Sequence, residues 1–346
     1  MAQTDCDCCP ESAPCDCTQV VAEVRTTDSL ITLAHRLDHA LARWGVDRMG
    51  HRVEPGLYSL GRPTPASPVF VSANYTLSFD ALRSALAGHD GYILVLDTRG
   101  INVWCAAGKG TFGTDEVVGQ IARTGLSSVV AHRTLILPQL GAPGISGHEV
   151  LRRSGFRVTF GPVRAADLPA FLAAGTATPE MRRVRFPFAD RIVLAPMELV
   201  HAALPTLAGA VLLYLLAGMP AALGAVAAVL AGTVLFPALL PFIPTRDFST
   251  KGLILGGVVA LPFAWAVSGD PALPGWANAL LALAPLLLMP AVTAYLALNF
   301  TGSTPFTSRT GVKREIFRYV PVMAAMTLSG VVLVLLLAAA RLTGAI

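Results

Sequence analysis

One cysteine, Cys105, has neighbours that would let its sulfur reach another molecule. The residues around it are an indole and then small side chains or none, namely Trp104, Ala106, Ala107, Gly108, Gly110 and Gly113. A glycine backbone can approach a large flat ligand closely because no Cβ stands in the way. A soft thiolate in such surroundings suits a metal ion whose other ligands come from elsewhere. Free cysteines are also among the most often buried residues, so a plain core role stays open at this point.

The cysteine follows a short apolar segment with the character of a buried strand. Residues 92–96 are Tyr-Ile-Leu-Val-Leu, which has the length and branching typical of a central parallel strand. Asp97 then begins the stretch that leads to Cys105. In open α/β sheets ligands bind at the carboxyl ends of the strands, so the cysteine is predicted to lie at that edge.

Two phosphate-binding motifs fit this stretch poorly. A P-loop needs a glycine five residues before its Gly-Lys pair, but Val103 stands there, and Lys109 is followed by Gly110 instead of serine or threonine. Glycines 108, 110 and 113 have the Gly-x-Gly-x-x-Gly spacing of dinucleotide-binding folds, but they come many residues after the strand. Nucleotide binding is therefore disfavoured.

The octapeptide from Asn102 to Lys109, Asn-Val-Trp-Cys-Ala-Ala-Gly-Lys, resembles the signature of the HgcA family, the membrane-bound corrinoid proteins of microbial mercury methylation. The corrinoid domain of that family is similar to the large subunit of the corrinoid iron-sulfur protein of the acetyl-CoA pathway. The likeness runs from about Arg43 to the C-terminus. Its other matching segments are residues 55–58, 67–69, 73–75, 132–144 and 154–156.

The resemblance implies a cobalt corrinoid with the Cys105 thiolate as its lower axial ligand, on a short helix beneath the ring. The predicted cofactor contacts here are Asn102, Val103, Trp104, Cys105, Ala106, Ala107, Gly108, Lys109 and Gly110. Asn74, Thr76 and Ser78 follow another predicted strand and could bind amide groups at the ring periphery, although such residues commonly just cap helices. No histidine stands in an Asp-x-His-x-x-Gly motif, which disfavours a histidine ligand to cobalt.

The activity that the resemblance implies is methyl transfer. The corrinoid would carry a methyl group on cobalt from a folate-linked donor to Hg(II), giving methylmercury. A thiolate ligand donates more electron density than imidazole, which favours departure of the methyl group with its bonding electrons. Reduction of the cobalt between cycles implies a small ferredoxin-like iron-sulfur protein as partner.

Five of the six cysteines lie in the first 27 residues, which are expected to form a flexible tail. They are Cys6, Cys8, Cys9, Cys15 and Cys17. Their spacing matches neither the Cys-x-x-Cys pairs of zinc sites nor the run that holds an iron-sulfur cluster. The tail could capture soft ions such as Hg(II), or it could have no specific role, and both interpretations stay open.

A helix is predicted to follow the tail. Apolar residues recur there at helical spacing, at Leu30, Leu33, Leu37 and Leu41. His35 and His39 lie four residues apart, which is the spacing of metal ligands on one helix face, but the glutamate of a zincin motif is missing between them. We therefore expect these histidines to be solvated.

The middle of the chain alternates between strands and helices. Strands are predicted at residues 69–71, 92–96, 128–130, 134–137 and 157–160, and helices at 79–86, 115–123, 147–153 and 166–174. Residues 45–68 are rich in glycine and proline and are predicted to be irregular. The alternation favours a Rossmann-like, doubly wound parallel α/β fold that would bind the corrinoid.

The last part of the chain has a membrane-like composition. Of the 346 residues, 53% are hydrophobic and only 14% are charged, and the apolar residues dominate after Leu194. Five membrane spans are predicted, at about 197–217, 220–243, 253–268, 276–299 and 320–340. Lysine and arginine occur after the second and fourth spans but not after the first and third, which predicts a cytoplasmic N-terminal domain and an external C-terminus in the cytoplasmic membrane.

These patterns predict three parts: a Cys-rich tail at 1–27, a cytoplasmic corrinoid-binding α/β domain at 28–195, and an all-α transmembrane domain with five helices at 196–346. The net charge of +4 comes without a basic run interleaved with aromatic residues, so nucleic-acid binding is not expected. Two other functions stay open. One is a membrane-tethered corrinoid methyl carrier of one-carbon metabolism with another acceptor, and the other is a non-catalytic membrane protein whose tail thiols bind or sense metal.

Overall fold

The computed structural model describes residues 23–47, 49–304 and 309–344, and these fall into two compact units. The first unit comprises the described parts of Met1–His39 and Asp47–Arg183. The second comprises Ala40–Val46 and the described part of Val184–Ile346. The five cysteines of the predicted tail lie outside the described residues. The prediction of a flexible tail as far as residue 27 is wrong at its end, because Val24–Thr27 pairs with another segment of the first unit as a strand. The predicted boundary between residues 195 and 196 stays a prediction.

The first unit is built around a sheet of six strands. These are β1 (Val24–Thr27), β2 (Gly56–Leu60), β3 (Val69–Ala73), β4 (Gly91–Leu96), β5 (Thr134–Leu137) and β6 (Arg157–Phe160). Their order in the sheet is β1-β2-β4-β3-β5-β6. Neighbouring strands are parallel except for β2 and β4, which are antiparallel. The carboxyl ends of β3, β4, β5 and β6 therefore share one edge.

Helices cover both faces of this sheet. Helix α1 (Leu33–Arg43) comes first in the chain, and its residues from Ala40 onward belong to the second unit. The helices over the sheet are α2 (Thr76–Ala85), α3 (Val103–Lys109), α4 (Thr114–Arg123), α5 (Leu126–Val129), α6 (Gly147–Ser154) and α7 (Leu168–Ala174). All of β4 is buried, because Leu94 and Leu96 pack in the core that contains α3, α4 and α6, while Ile93 and Val95 pack in the core that contains α2 and α7. This arrangement confirms the predicted α/β class and explains the unbroken apolar run of β4.

Two predictions about the sheet are wrong. The sheet is not all-parallel, because β2 runs antiparallel to β4 and lies in the segment predicted to be irregular. Residues 61–68 join β2 to β3 without a crossover helix, and such a short connection suits strands of opposite direction. The predicted strand at 128–130 is replaced by α5, since Gly125 adopts a left-handed conformation (φ 57°) and turns the chain into a short helix.

The second unit is helical. Its helices are α8 (Phe188–Ile192), α9 (Ala195–Ala217), α10 (Met219–Leu230), α11 (Phe236–Leu239), α12 (Phe248–Val267), α13 (Gly275–Asn299) and α14 (Arg309–Leu342), with a π-helical turn at Ala231–Leu235. Among the described residues, five helical stretches are long and apolar enough to cross a membrane: Phe188–Ala217, Met219–Leu239, Phe248–Val267, Gly275–Gly302 and Thr310–Leu342. Each overlaps one of the five predicted spans, although the first, third and last begin earlier than predicted. The last helix begins earlier than predicted, because Lys313, Arg314 and Glu315 favour helix over loop.

Small residues bring two of these helices together. A Cβ on Gly256 of α12 would lie 2.6 Å from the Cα of Pro290 on α13, and a Cβ on Gly252 would lie 2.5 Å from the Cα of Ala294. A Cβ on Gly257 would meet no atom within 4 Å in the described structure. The Gly-x-x-x-Gly pair therefore forms the contact face of α12, as in membrane helices that pack through small residues.

Candidate functional site

The loop between β4 and α3 is held by one buried amide, that of Asn74 at the end of β3. The side-chain oxygen of Asn74 accepts hydrogen bonds from Thr98 N (3.0 Å), Thr98 Oγ1 (2.8 Å) and Gly100 N (3.0 Å). Its nitrogen donates to Asp97 Oδ1 (3.2 Å), and the residue is only 1% exposed. Arg99 and Gly100 both have positive φ, at 59° and 69°, so the amide stabilises a loop shape that few residues adopt unaided.

The same loop ends in the cap of α3. Asn102 is the N-cap residue, and its Oδ1 accepts a hydrogen bond from Cys105 N at 2.9 Å. This bond satisfies one of the amides that a helix start leaves without a partner. Gly110, with φ 87°, ends the helix in the left-handed conformation after seven residues. Asn102 therefore fixes the backbone of the cysteine itself.

The two faces of α3 have different roles. Val103, Ala106 and Ala107 are buried in the core. Cys105 is a free, partly exposed cysteine, and Trp104 is 36% exposed. The thiol thus lies near the surface at the carboxyl edge of the sheet, as predicted, and it is not a core residue.

The glycines beyond the cysteine mostly face the protein. A Cβ on Gly113 would lie 2.6 Å from Gly110 O, and one on Gly144 would overlap the carbonyl oxygen of Phe112. Gly144 belongs to the 3₁₀ helix Gln139–Gly144, which packs against α3. Gly108 and Gly110 remain exposed, and a Cβ on Gly110 would meet no described atom within 4 Å. Among the glycines just named, Gly108 and Gly110 are therefore the ones whose backbone an external ligand could approach.

A cavity of about 370 Å³ opens beside the first turn of α3. Its walls come from the ends of β3 and β5, from α2 and from residues 161–165. Four of the predicted contact residues line it, namely Ser78, Asn102, Val103 and Trp104. Cavities of this size hold drug-sized ligands, so this one could take an edge or a substituent of a corrinoid and leave the ring outside.

Other predicted contact residues have partners within the protein. Thr76 Oγ1 donates to Asp38 Oδ2 at 2.8 Å, and the Asn74 amide is engaged with the 97–100 loop as described. Neither side chain caps α2, whose N-cap is Tyr75. Contacts from these two residues to a ring stay predictions, and the structure adds a positioning role for Asn74 that the sequence did not indicate.

A cluster of charged and histidine side chains joins α1 to α2, and sequence reasoning missed it. His39 Nε2 lies 2.7 Å from Asp80 Oδ2, and Arg83 Nε donates to Asp80 Oδ1 at 2.6 Å. His35 contacts Arg83 as well. The prediction that His35 and His39 are solvated is wrong, since they form the inner face of α1. Asp80 and Arg83, polar residues on the buried side of α2, were the available signal.

A second histidine pair lies beside the first. His51 Nδ1 is 2.7 Å from Asp38 Oδ1, and Thr76 N donates to His51 O at 3.1 Å. Burial disfavours the charged form of Asp38, but hydrogen bonds from His51 and Thr76 outweigh it and hold the pKa of this carboxyl below its usual range. These pairs connect α1 to the segment that carries Asn74.

The described residues contain no group of three or more His, Cys, Asp or Glu side chains arranged to hold a metal ion. A metal bound at Cys105 would therefore take its remaining ligands from outside this part of the chain. A cobalt corrinoid would meet that condition, because the macrocycle would hold the metal and Cys105 would add one soft donor. The thiol and its surroundings fit this group, while the five tail cysteines lie outside the described residues.

Comparison with known proteins relates the first unit to enzymes of acetyl-CoA metabolism. Residues 39–171 match the family model described as CO dehydrogenase/acetyl-CoA synthase delta subunit. Acetyl-CoA decarbonylase/synthase complex subunit gamma of Methanopyrus kandleri is 35% identical over 127 residues, which is 36% of this chain and 27% of the relative. The same subunit of Archaeoglobus fulgidus is 32% identical over 123 residues, covering 35% of this chain and 26% of the relative.

The chain thus spans only about a quarter of the length of these relatives. The family match includes β2 to β6, Asn74 and α3, and it ends before the membrane-length helices. None of the names just given mentions mercury. The similarity therefore concerns the α/β unit and its loop, and the activity of this chain is a matter for proposal.

Proposed function

We propose that the first unit binds a corrinoid and that the chain uses it to transfer a methyl group. The observation that carries this proposal is the position of Cys105, a partly exposed cysteine at the carboxyl edge of the sheet, on a capped helix whose first residues line a cavity. When bound, the corrinoid supplies the cobalt that accepts and releases the methyl group. Cys105 is the proposed lower axial ligand.

The protein residues around the thiol bind and orient. Asn102 fixes the backbone amide of Cys105, and Asn74 fixes the loop before it, so both residues would help to hold the sulfur in position for the cofactor. Trp104 offers an exposed apolar face next to the thiol. The cavity wall of α2 and β5 would shield one edge of the ring from water.

For the methyl acceptor we propose Hg(II), on the strength of the octapeptide Asn102–Lys109. This assignment implies a folate-linked methyl donor and a small ferredoxin-like iron-sulfur protein as reductant. The names of the relatives favour a second candidate, a corrinoid methyl carrier whose acceptor belongs to one-carbon metabolism. Both candidates need the same cofactor site and differ only in what receives the methyl group.

We further propose that the second unit embeds the chain in the cytoplasmic membrane. Its five candidate spans and the distribution of lysine and arginine between them support this, with the first unit in the cytoplasm and the C-terminus outside. Anchoring the cofactor domain is the simplest role of these helices.

The test compares the full chain with Cys105→Ala after purification in detergent and incubation with a methylcorrinoid. We expect the unaltered chain to retain cobalt and to show a spectrum of sulfur-ligated cobalt, and the variant to lose that spectrum. The matched control replaces the five tail cysteines by serine, which should leave the spectrum unchanged. Identical spectra from the unaltered chain and Cys105→Ala, or no cobalt in either of them, would contradict the proposal.

Once corrinoid binding through Cys105 has been demonstrated, the same chain is used to test the methyl acceptor. Methylated protein is mixed with Hg(II), and methylmercury is measured against the Cys105→Ala variant and free methylcorrinoid. Formation of methylmercury that depends on Cys105 supports Hg(II) as the methyl acceptor. If no methylmercury forms although the spectrum of sulfur-ligated cobalt is intact, another acceptor is favoured. Metal affinity that survives in Cys105→Ala and disappears in the tail variant would instead support the non-catalytic sensing function.

A further inference from the structure

Helix α1 turns its apolar side to the outside. Leu33 is 73% exposed, Leu37 57%, Leu41 47% and Trp44, just past the helix end, 55%. Their spacing of four, four and three residues places them on one face of the helix. The leucines were predicted from their spacing alone as the apolar face of a helix, and here that face is an exposed ridge.

The polar side of α1 determines this orientation. His39 contacts Asp80, and Asp38 contacts His51, so both face inward. Asp80 is only 4% exposed and needs its partners, because a carboxylate buried without a hydrogen-bond donor or an opposite charge is strongly destabilising. Rotating α1 to bury the leucines would break these pairs. The exposed ridge is therefore a fixed feature of the fold.

We propose that α1 lies in the headgroup region of the membrane that holds the second unit, with its leucines and Trp44 inserted toward the acyl chains. This inference rests on the proposed membrane embedding. We name a lipid bilayer as the partner of this apolar face because the chain just after α1 lies against the first candidate span. A Cβ on Gly45 would lie 3.6 Å from side-chain atoms of Met197 and His201, both in Phe188–Ala217.

The remaining side chains of α1 suit a phospholipid surface. Arg36 and Arg43 are exposed on the same helix and can reach lipid phosphates. A tryptophan at the end of such a helix is typical of the membrane interface, where an apolar ring meets water. Contiguous apolar surfaces of this kind are rare on soluble monomers and mark contact sites.

The test uses single-tryptophan variants of the full chain. The chain has four tryptophans, Trp44, Trp104, Trp265 and Trp276. One variant keeps only Trp44, a second only Trp265, and a third only Trp104, with phenylalanine at the other positions. Each is reconstituted in nanodiscs of phosphatidylcholine and phosphatidylglycerol, and fluorescence quenching is measured with lipids brominated either near the headgroup or deep in the acyl chain.

We expect lipid bromine to quench Trp44, more strongly when it is near the headgroup, and Trp44 emission to be blue-shifted relative to that of Trp104. Trp265, 81% exposed on a candidate span, should be quenched by acyl-chain bromine, and Trp104 should be unaffected. Quenching of Trp265 without Trp44 would overturn the inference and leave the membrane proposal intact. If Trp265 is not quenched either, the membrane proposal fails first.

A substitution gives a second, independent measurement. Leu37→Glu should abolish most of the quenching of Trp44 by lipid, whereas Leu151→Glu, on the exposed face of α6, should not change it. Both positions are exposed, so neither variant should disturb folding. Quenching of Trp44 that is unchanged by Leu37→Glu would overturn the inference. A blue shift of Trp44 that depends on protein concentration and not on lipid would also overturn it, and would point to a second copy of the chain as the occupant.

Discussion

Replacing Asn102 by alanine should loosen the helix that carries Cys105 without unfolding the rest of the unit. The substitution removes the acceptor for Cys105 N, a bond of 2.9 Å, in a helix of only seven residues. Loss of an N-cap side chain costs about 1 kcal/mol, which corresponds to about a fivefold rise in the open fraction of the helix start. The backbone amides of α3 should therefore exchange with deuterium about fivefold faster, if exchange occurs through such local opening.

The assay is hydrogen exchange by mass spectrometry on the full chain in detergent. Peptides that cover residues 103–109 report the effect, and peptides that cover β4 serve as the internal reference because that strand is fully buried. Asn102→Ser is the matched control, since a serine hydroxyl accepts the same bond without adding a charge. Corrinoid retention should follow the same order, with the serine variant near the unaltered chain.

Two results would refute this reasoning. Equal exchange in the alanine variant would mean that the cap bond does not limit opening of α3. Equal acceleration in α3 and β4 would mean that the substitution destabilises the whole unit, so that Asn102 is a general structural residue with no specific relation to the thiol.

Three further predictions use the same chain. Asn74→Ala should lower the free energy of unfolding by about 3 kcal/mol, because three donors lose their acceptor; denaturant unfolding measures this, and a loss below about 1 kcal/mol would contradict it. Asp38→Asn should lower the free energy of unfolding at pH 7, because a carboxyl whose pKa is lowered by folding stabilises the fold only while it is ionised. The difference from the unaltered chain should vanish as the pH falls through the depressed pKa of Asp38. Unfolding curves at pH 7 and at successively lower pH test this, and a difference that stays constant would exclude the mechanism. Gly256→Ala should lower the melting temperature of the detergent-solubilised chain because its Cβ would meet Pro290, whereas Gly257→Ala should not; equal melting of the two variants would show that α12 and α13 are not closely packed there.

Much of the first unit could be predicted because local sequence determines it. Apolar segments, and the glycine or polar residues that end them, predict the buried strand β4 and the helices after β3 and β4. They also predict that Cys105 lies just beyond β4. Strand β2 was not predicted, because its segment lies between Gly56 and Gly61 and pairs with β4, whose residues are far away in the sequence. Strand direction depends on such long-range pairing, which periodicity does not record.

The candidate site also has one part that the sequence predicted and another that depends on contacts between distant residues. Residue type and chain position were enough to single out Cys105, but the role of Asn74 depends on a loop 23 to 26 residues away, which only the fold brings near. The reversed orientation of α1 is a second case, because spacing predicts that Leu33 and Leu37 share a face and says nothing of which side meets the core. Hydrogen bonds between polar residues of α1 and α2, such as the one between His39 and Asp80, decide that question.

The dependence of the 97–100 loop on Asn74 also bears on the order of folding. The amide belongs to β3, whereas the loop and α3 follow β4, and the parallel pairing of these strands requires α2 to cross over first. Contacts between residues far apart in sequence form slowly because the intervening chain must be closed. The cysteine helix is thus expected to mature only after β3 and β4 have docked, so during synthesis the chain as far as Gly110 must have left the ribosome before this helix can form.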